Sequence, residues 1–185
     1  MKTNPAALFT LVGCVGLAAC SAAPEGKWIG DIVTANDYEA AAGWVPGATS
    51  ITRDHAHSGR FADHVDATHN YGLTYQSIMA EASVHPLRGL DLEAWAYVAG
   101  PPPQTPAVVQ VQVWAHGPGQ DPAPLFSEGL ALAALVPDSS KWTRVRQRFQ
   151  LPPNLPYDAN LRIFLAGNGC RRPVYLDDIR VKALE

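Results

Sequence analysis

The chain has 185 residues, 47% of them hydrophobic, with 14 Lys and Arg against 17 Asp and Glu and a formal net charge of −3. That length suits one ordinary domain with its own core, and the lack of a basic excess excludes a general nucleic-acid binder. The 16 prolines and 15 glycines recur along the chain and speak against long helices.

The first element is a leader. Lys2 precedes an uncharged apolar stretch from Ala6 to Ala19 that closes on Leu17-Ala18-Ala19-Cys20, the small-residue pattern of a lipobox. The stretch is shorter than the roughly 20 apolar residues a spanning helix needs. It therefore reads as a signal peptide, residues 1–19, with Cys20 as the lipidation site. An overlapping match, Leu11-Val12-Gly13-Cys14, leaves an apolar region near the lower limit of about 7 residues for such signals, so Cys20 is preferred. Acyl chains on Cys20 anchor the domain to a membrane. Ser21 is not the aspartate of inner-membrane retention, which favours the outer membrane and an extracytoplasmic place in the cell envelope. Removing 19 of 185 residues leaves 166, with 13 basic residues against 17 acidic ones because Lys2 is lost, a net of −4. Cys14 leaves with the leader and Cys20 is acylated, so Cys170 is the one remaining thiol and no intramolecular disulfide forms. Residues 20–27 form the lipidated cysteine and a short tether, and residues 28–185 form the folded domain.

Beyond Trp28, short period-two runs alternate with proline- and glycine-containing turns. From Leu90 to Val98, Leu90, Leu92, Ala94, Ala96 and Val98 share one face, while Asp91, Glu93, Trp95 and Tyr97 share the other. Val109, Val111 and Val113 alternate with Gln110, Gln112 and Trp114, fenced by Gly100-Pro101-Pro102-Pro103 and Gly117-Pro118-Gly119. Ser127 to Leu135 contains good helix formers, but Gly129 interrupts it and Pro137 ends it, so no helix is expected there. Val145, Phe149 and Leu151 alternate with Arg144, Arg146, Arg148 and Gln150. Leu161, Ile163 and Leu165 alternate with Arg162 and Phe164, and a last strand runs from Val174 to Val181. Several such strands predict an all-β fold, a two-sheet antiparallel β-sandwich.

Asn36-Asp37-Tyr38-Glu39, Gly43-Trp44, Ala56-His57-Ser58-Gly59-Arg60-Phe61, Ala94-Trp95, Trp142, Phe149-Gln150-Leu151-Pro152 and Val174-Tyr175-Leu176-Asp177-Asp178-Ile179 follow one another in a telling order. In that order they resemble carbohydrate-binding modules of the galactose-binding-like jelly-roll type, over nearly all of residues 28–185. Asp63 departs from the pattern, standing where such modules keep an apolar residue. The resemblance implies a jelly roll and an oligo- or polysaccharide ligand. It also implies a structural calcium between Glu39, backbone oxygens near Ser58, and Asp178, a donor set of the oxygen type that ion takes. The plainer reading is that these carboxylates are solvated charges.

Glu93, Trp95, Tyr97, Gln110, Gln112, Trp114 and Arg162, with Phe164 beside them, make a ligand platform if the two strands adjoin in one sheet. A pyranose stacks its apolar face on indole while amides and charges bond its hydroxyls. The same aromatics read equally as core covered by loops. Arg144, Arg146 and Arg148 form a basic row that either meets an acidic polymer or keeps an edge strand from pairing. His55-Ala56-His57 places two imidazoles side by side, without a familiar zinc spacing. Gly-x-Ser-x-Gly, His-Glu-x-x-His and Gly-rich phosphate loops are absent. The composite reading is a non-catalytic, lipid-anchored binding module. The alternative is an envelope structural or assembly lipoprotein whose sheet face meets a protein partner.

Overall fold

The computed structural model describes residues 31–40, 44, 50–100, 105–137 and 140–184. The leader, Cys14, Cys20 and the tether lie outside them, as does the turn at 101–104. The elements are β1 (Ile32–Asn36), β2 (Ile51–Thr52), β3 (Ala62–Val65), β4 (Tyr75–Ile78), α1 (Met79–Ala82), β5 (Gly89–Val98) and β6 (Val108–Trp114). They continue with β7 (Phe126–Ala131), α2 (Leu132–Leu135), β8 (Thr143–Gln150), β9 (Asn160–Ala166) and β10 (Val174–Leu184). No described helix is long and apolar enough to cross a membrane.

Two antiparallel sheets face each other. The larger has the order β2-β3-β10-β5-β8 with β1 also paired to β10, and the smaller has the order β4-β9-β6-β7. The period-two runs explain why. Leu90, Leu92, Ala94, Ala96 and Val98 of β5, Val109, Val111 and Val113 of β6, and Leu161, Ile163 and Leu165 of β9 all point between the sheets and are buried. At about 25 cal/mol per Å² of apolar surface removed from water, such inner faces dominate the stabilisation of a sandwich. The two-sheet antiparallel β-sandwich expected from the sequence is the fold observed.

Ser127 to Leu135 proves to be two elements. Its first part is the edge strand β7, paired to β6 with Gly129 opposite Gln110, and its second is the single helical turn α2, which Pro137 follows. A side chain at position 129 would press on Gln110 Oε1 at 3.2 Å, so the glycine that weakens a helix here makes room across a sheet.

β10 carries one irregularity. Between Asp177, opposite Trp95, and Arg180, opposite Glu93, it holds one more residue than β5, and Asp178 has φ +48°. This β-bulge resets the alternation, so that Val174 and Leu176 before it and Ile179, Val181 and Ala183 after it all reach the core. The two aspartates at the bulge are thereby left together on the outer side.

Asp63 sits in β3, paired to Ile51 and Leu176. The strand is intact despite the departure from the family pattern, because the carboxylate is fully buried and takes the Leu73 backbone N–H on both oxygens, at 3.1 and 3.0 Å. Gly72 is needed beside it, since a Cβ there would collide with the Asp63 carboxylate.

Candidate functional site

β5 and β6 belong to different sheets, so the single platform expected from the sequence divides into two faces on opposite sides of the molecule. Glu93, Trp95 and Tyr97 lie on the outer face of the larger sheet. Gln110, Gln112, Trp114 and Arg162 lie on the outer face of the smaller one.

On the larger sheet the rings are covered. The loop after β2 lays His57 face to face on Trp95 at 3.9 Å and His55 on Tyr97 at 4.6 Å, with Trp142 edge-on to His57 and tilted against Tyr97, both at 5.6 Å. The side-by-side placement expected for His55 and His57 is thus observed, but their partners are rings. The bulge holds this loop down. Asp177 Oδ2 accepts the backbone N–H groups of His57 (2.7 Å) and Ser58 (3.1 Å), while Asp178 accepts the Ser58 hydroxyl (2.8 Å) and faces His57 Nδ1 at 2.6 Å. Burial pushes the Asp177 carboxyl above its ordinary range, against the pull of the loop amides. Glu39 fastens the far end of the same loop, taking the Arg60 and Phe61 N–H groups at 2.5 and 2.7 Å, and the Arg60 amide first among these contacts lowers its pKa. Glu93 pairs with Arg144 at 2.5 Å and Asp91 with Arg146 across the edge strand β8, so acids of β5 engage Arg144 and Arg146 of the basic row.

Glu39 and Asp178 therefore flank one loop, as the calcium expectation requires, but the loop turns hydrogen donors toward them. Calcium takes six to eight oxygens. Both Asp178 oxygens and Glu39 Oε1 already face N–H or O–H groups, a donor set that does not fit the ion.

The smaller sheet presents an open groove of about 450 Å³. Strand register builds it row by row. Gln76 of β4, Arg162 of β9, Gln112 of β6 and Ser127 of β7 stand abreast, and in the next row Phe164 stands opposite Gln110. Trp114 donates its indole N–H to Gln112 Oε1 at 3.0 Å, and Gln110 Nε2 donates to the Ser127 hydroxyl and the Glu128 carbonyl, both at 3.0 Å. These bonds fix the ring and both amides before any ligand arrives. Tyr71, 63% exposed, meets Phe164 edge-on at 5.9 Å and walls one side. The Arg162 guanidinium lies 5.5 Å over the Phe164 ring. Its Nε is buried and has no hydrogen-bond partner among the described residues, and burial lowers its pKa. Tyr71 escapes sequence reasoning because it stands in a turn, Asn70-Tyr71-Gly72, with no alternation around it. Its pairing to Ala166 as an isolated bridge is a product of the tertiary fold.

No protein-family model matches the chain, and no curated protein does. Among solved structures, it is similar to the CBM22-1 xylan-binding domain of Xyn10C from Paenibacillus barcinonensis, with a TM-score of 0.51 and 12% identity, covering 86% of this chain and 98% of that one. It is similar also to a second module of carbohydrate-binding family 16, with a TM-score of 0.51 and 16% identity over 76% of this chain and 91% of that one. At such identities the likeness concerns the fold. The chain is a two-sheet jelly-roll β-sandwich of the kind found in carbohydrate-binding modules.

Proposed function

We propose that this protein is a non-catalytic carbohydrate-binding module, lipid-anchored in the cell envelope through Cys20, whose groove on the smaller sheet takes an oligo- or polysaccharide. The observation that carries the reading is Arg162. A buried guanidinium nitrogen without an acceptor costs on the order of 1–3 kcal/mol, and a sugar hydroxyl entering the groove would relieve that cost. Around it stand the two elements sugar recognition needs. Trp114, Phe164 and Tyr71 offer ring surface for the apolar face of a pyranose, and Gln110 and Gln112 offer amides for its hydroxyls. The xylan-binding domain of similar fold makes xylan the first ligand to try. Trp95 and Tyr97 are not part of this proposal because His57 and His55 of the loop after β2 stack on them, and Glu93 is not because Arg144 engages it.

The test is a glycan array followed by titration calorimetry on the strongest hit, with the protein and its Arg162→Met variant. Binding that falls in the variant supports the groove. A hit bound equally well by both would place the ligand elsewhere.

A further inference from the structure

At the opposite end of β3 from the loop, three side chains converge away from the groove. His64 ends the strand's outer face, Asp66 follows it, and His69 closes the turn. One donor atom from each lies within 4.8 Å of the other two. His64 Nε2 is 3.7 Å from Asp66 Oδ2, and His69 Nδ1 is 3.2 Å from Asp66 Oδ1. Donors around a tetrahedral ion with bonds of about 2.0–2.1 Å stand about 3.3 Å apart, so each imidazole nitrogen lies near that spacing from its own oxygen of the Asp66 carboxylate.

The hydrogen bonds around the trio set its chemistry. His64 Nδ1 contacts the Ser50 backbone carbonyl, and a carbonyl only accepts, so this nitrogen carries the proton. In the neutral ring Nε2 then turns a bare lone pair toward a carboxylate oxygen. A histidine tied to a backbone carbonyl through its far nitrogen is also the usual arrangement of a metal ligand, since that bond fixes tautomer and ring plane. Asp66 Oδ1 is occupied, accepting the Thr68 backbone N–H (2.7 Å), the Thr68 hydroxyl (2.8 Å) and the His69 backbone N–H (2.7 Å), which leaves Oδ2, the oxygen facing His64, for an ion; the Thr68 hydroxyl also lies 2.9 Å from His69 Nδ1, a contact an ion would displace. Tyr175 stacks against the His64 ring at 5.9 Å and closes the inner side. Side-chain exposures of 12%, 25% and 34% for His64, Asp66 and His69 leave the outer side open.

We propose that His64, Asp66 and His69 bind a divalent transition-metal ion of the zinc class, with a coordination position left open to water or an incoming ligand. Two imidazoles and one carboxylate favour such an ion over calcium, which prefers an all-oxygen shell. The motif, His-x-Asp-x-x-His, matches none of the familiar zinc spacings, and only the turn after β3 brings its ends together.

The full chain, purified in mild detergent and stripped with chelator, is titrated with zinc chloride by calorimetry and with cobalt(II) by visible absorption. One equivalent of each ion is expected, with the cobalt bands of a four-coordinate site. His69→Ala removes one ligand and its 3.2 Å contact to Asp66 while the bonds from the Thr68 and His69 backbone and the Thr68 hydroxyl stay, and it should weaken zinc binding at least about tenfold. His116→Ala, which removes a different exposed histidine paired to Asp121 at 2.8 Å, should leave binding unchanged. Melting in chelator checks that both variants fold. No stoichiometric binding by the unaltered chain, binding that survives His69→Ala, or an equal loss in His116→Ala would overturn the site.

Discussion

His57 and Trp95 lie ring on ring, 3.9 Å apart and within 14° of parallel, so the indole on the outer face of the larger sheet is a floor for a loop. Its counterpart Trp114, on the other sheet, has one polar partner and open space beside it. The two tryptophans should therefore respond oppositely to removal. Trp95→Ala is expected to cost about 3 kcal/mol, near the low end for a large aromatic taken from packed surroundings, with little direct effect on sugar binding once the variant is folded. Trp114→Ala is expected to cost about 1 kcal/mol or less in stability and to weaken binding at least about tenfold, equivalent to about 1.4 kcal/mol. Thermal melting and calorimetry on both variants check this; a large melting loss in Trp114→Ala with no separate binding defect would contradict it.

Asp63 gives the protein an unusual pH profile. Burial raises its carboxyl from the ordinary 3.8 to about 7 in the folded state. The folded chain thus keeps a proton that the unfolded chain has released, and stability conferred by that proton is present below the ordinary carboxylate range and lost as pH rises to about 7. Asp121 works in the other direction, lowered to about 2 by the Gly117 amide and His116, so its contribution is lost only in strong acid. Melting temperature should fall between pH of about 4 and 7, and Asp63→Asn should flatten that fall. An unchanged slope in the variant would show that another group is responsible.

Asp177 is the latch of the loop. Replacing it by alanine leaves the His57 and Ser58 amides without their acceptor, a loss of about 1–3 kcal/mol for each group that stays buried. Asp177→Ala should melt early and show raised tryptophan accessibility to a soluble quencher. Chelation of calcium should do neither, because the loop already gives hydrogen donors to Glu39 and Asp178. A chelator-dependent fall in melting temperature that disappears in Glu39→Gln would show instead that these oxygens hold an ion.

Lipidation belongs to residues beyond those described, and its test is biochemical. Cys20→Ala should abolish labelling with a fatty-acid analogue and shift the protein from the membrane fraction. Label that persists there and vanishes in Cys14→Ala would move the processing site to the first lipobox.

Five strands, β5, β6, β8, β9 and β10, are legible in the sequence because apolar side chains recur at alternate positions on one side of each, interrupted only at Gln147 of β8 and at the bulge of β10. The others hide for definite reasons. β2 has two residues, β3 and β4 have four each, and Asp63 occupies an inward position of β3 where a buried carboxylate cannot be anticipated from pattern. The platform residues each carry chemistry suited to a sugar, but their assembly depends on whether β5 and β6 adjoin. Alternation says which face a residue takes; it is silent on which sheet receives the strand after a long turn. Trp95 and Trp114 read alike in sequence for this reason. The metal-ligating trio is hidden because its members are separated by one and two residues in a turn, where geometry depends on the Asp66 side chain folding back on its own backbone.

β10 pairs along one flank with β3 and, past the bulge, with β1. Among the described residues the first strand and the last are hydrogen-bonded neighbours, so this pairing joins segments far apart in sequence. Without residues 174–184, β1 and β3 have no partner in β10 and β5 has an open side, so the larger sheet falls into separate pairs, β2 with β3 and β5 with β8. Such long-range closure is slow to form, and it delays the burial of the sheet's inner face until β10 is in place.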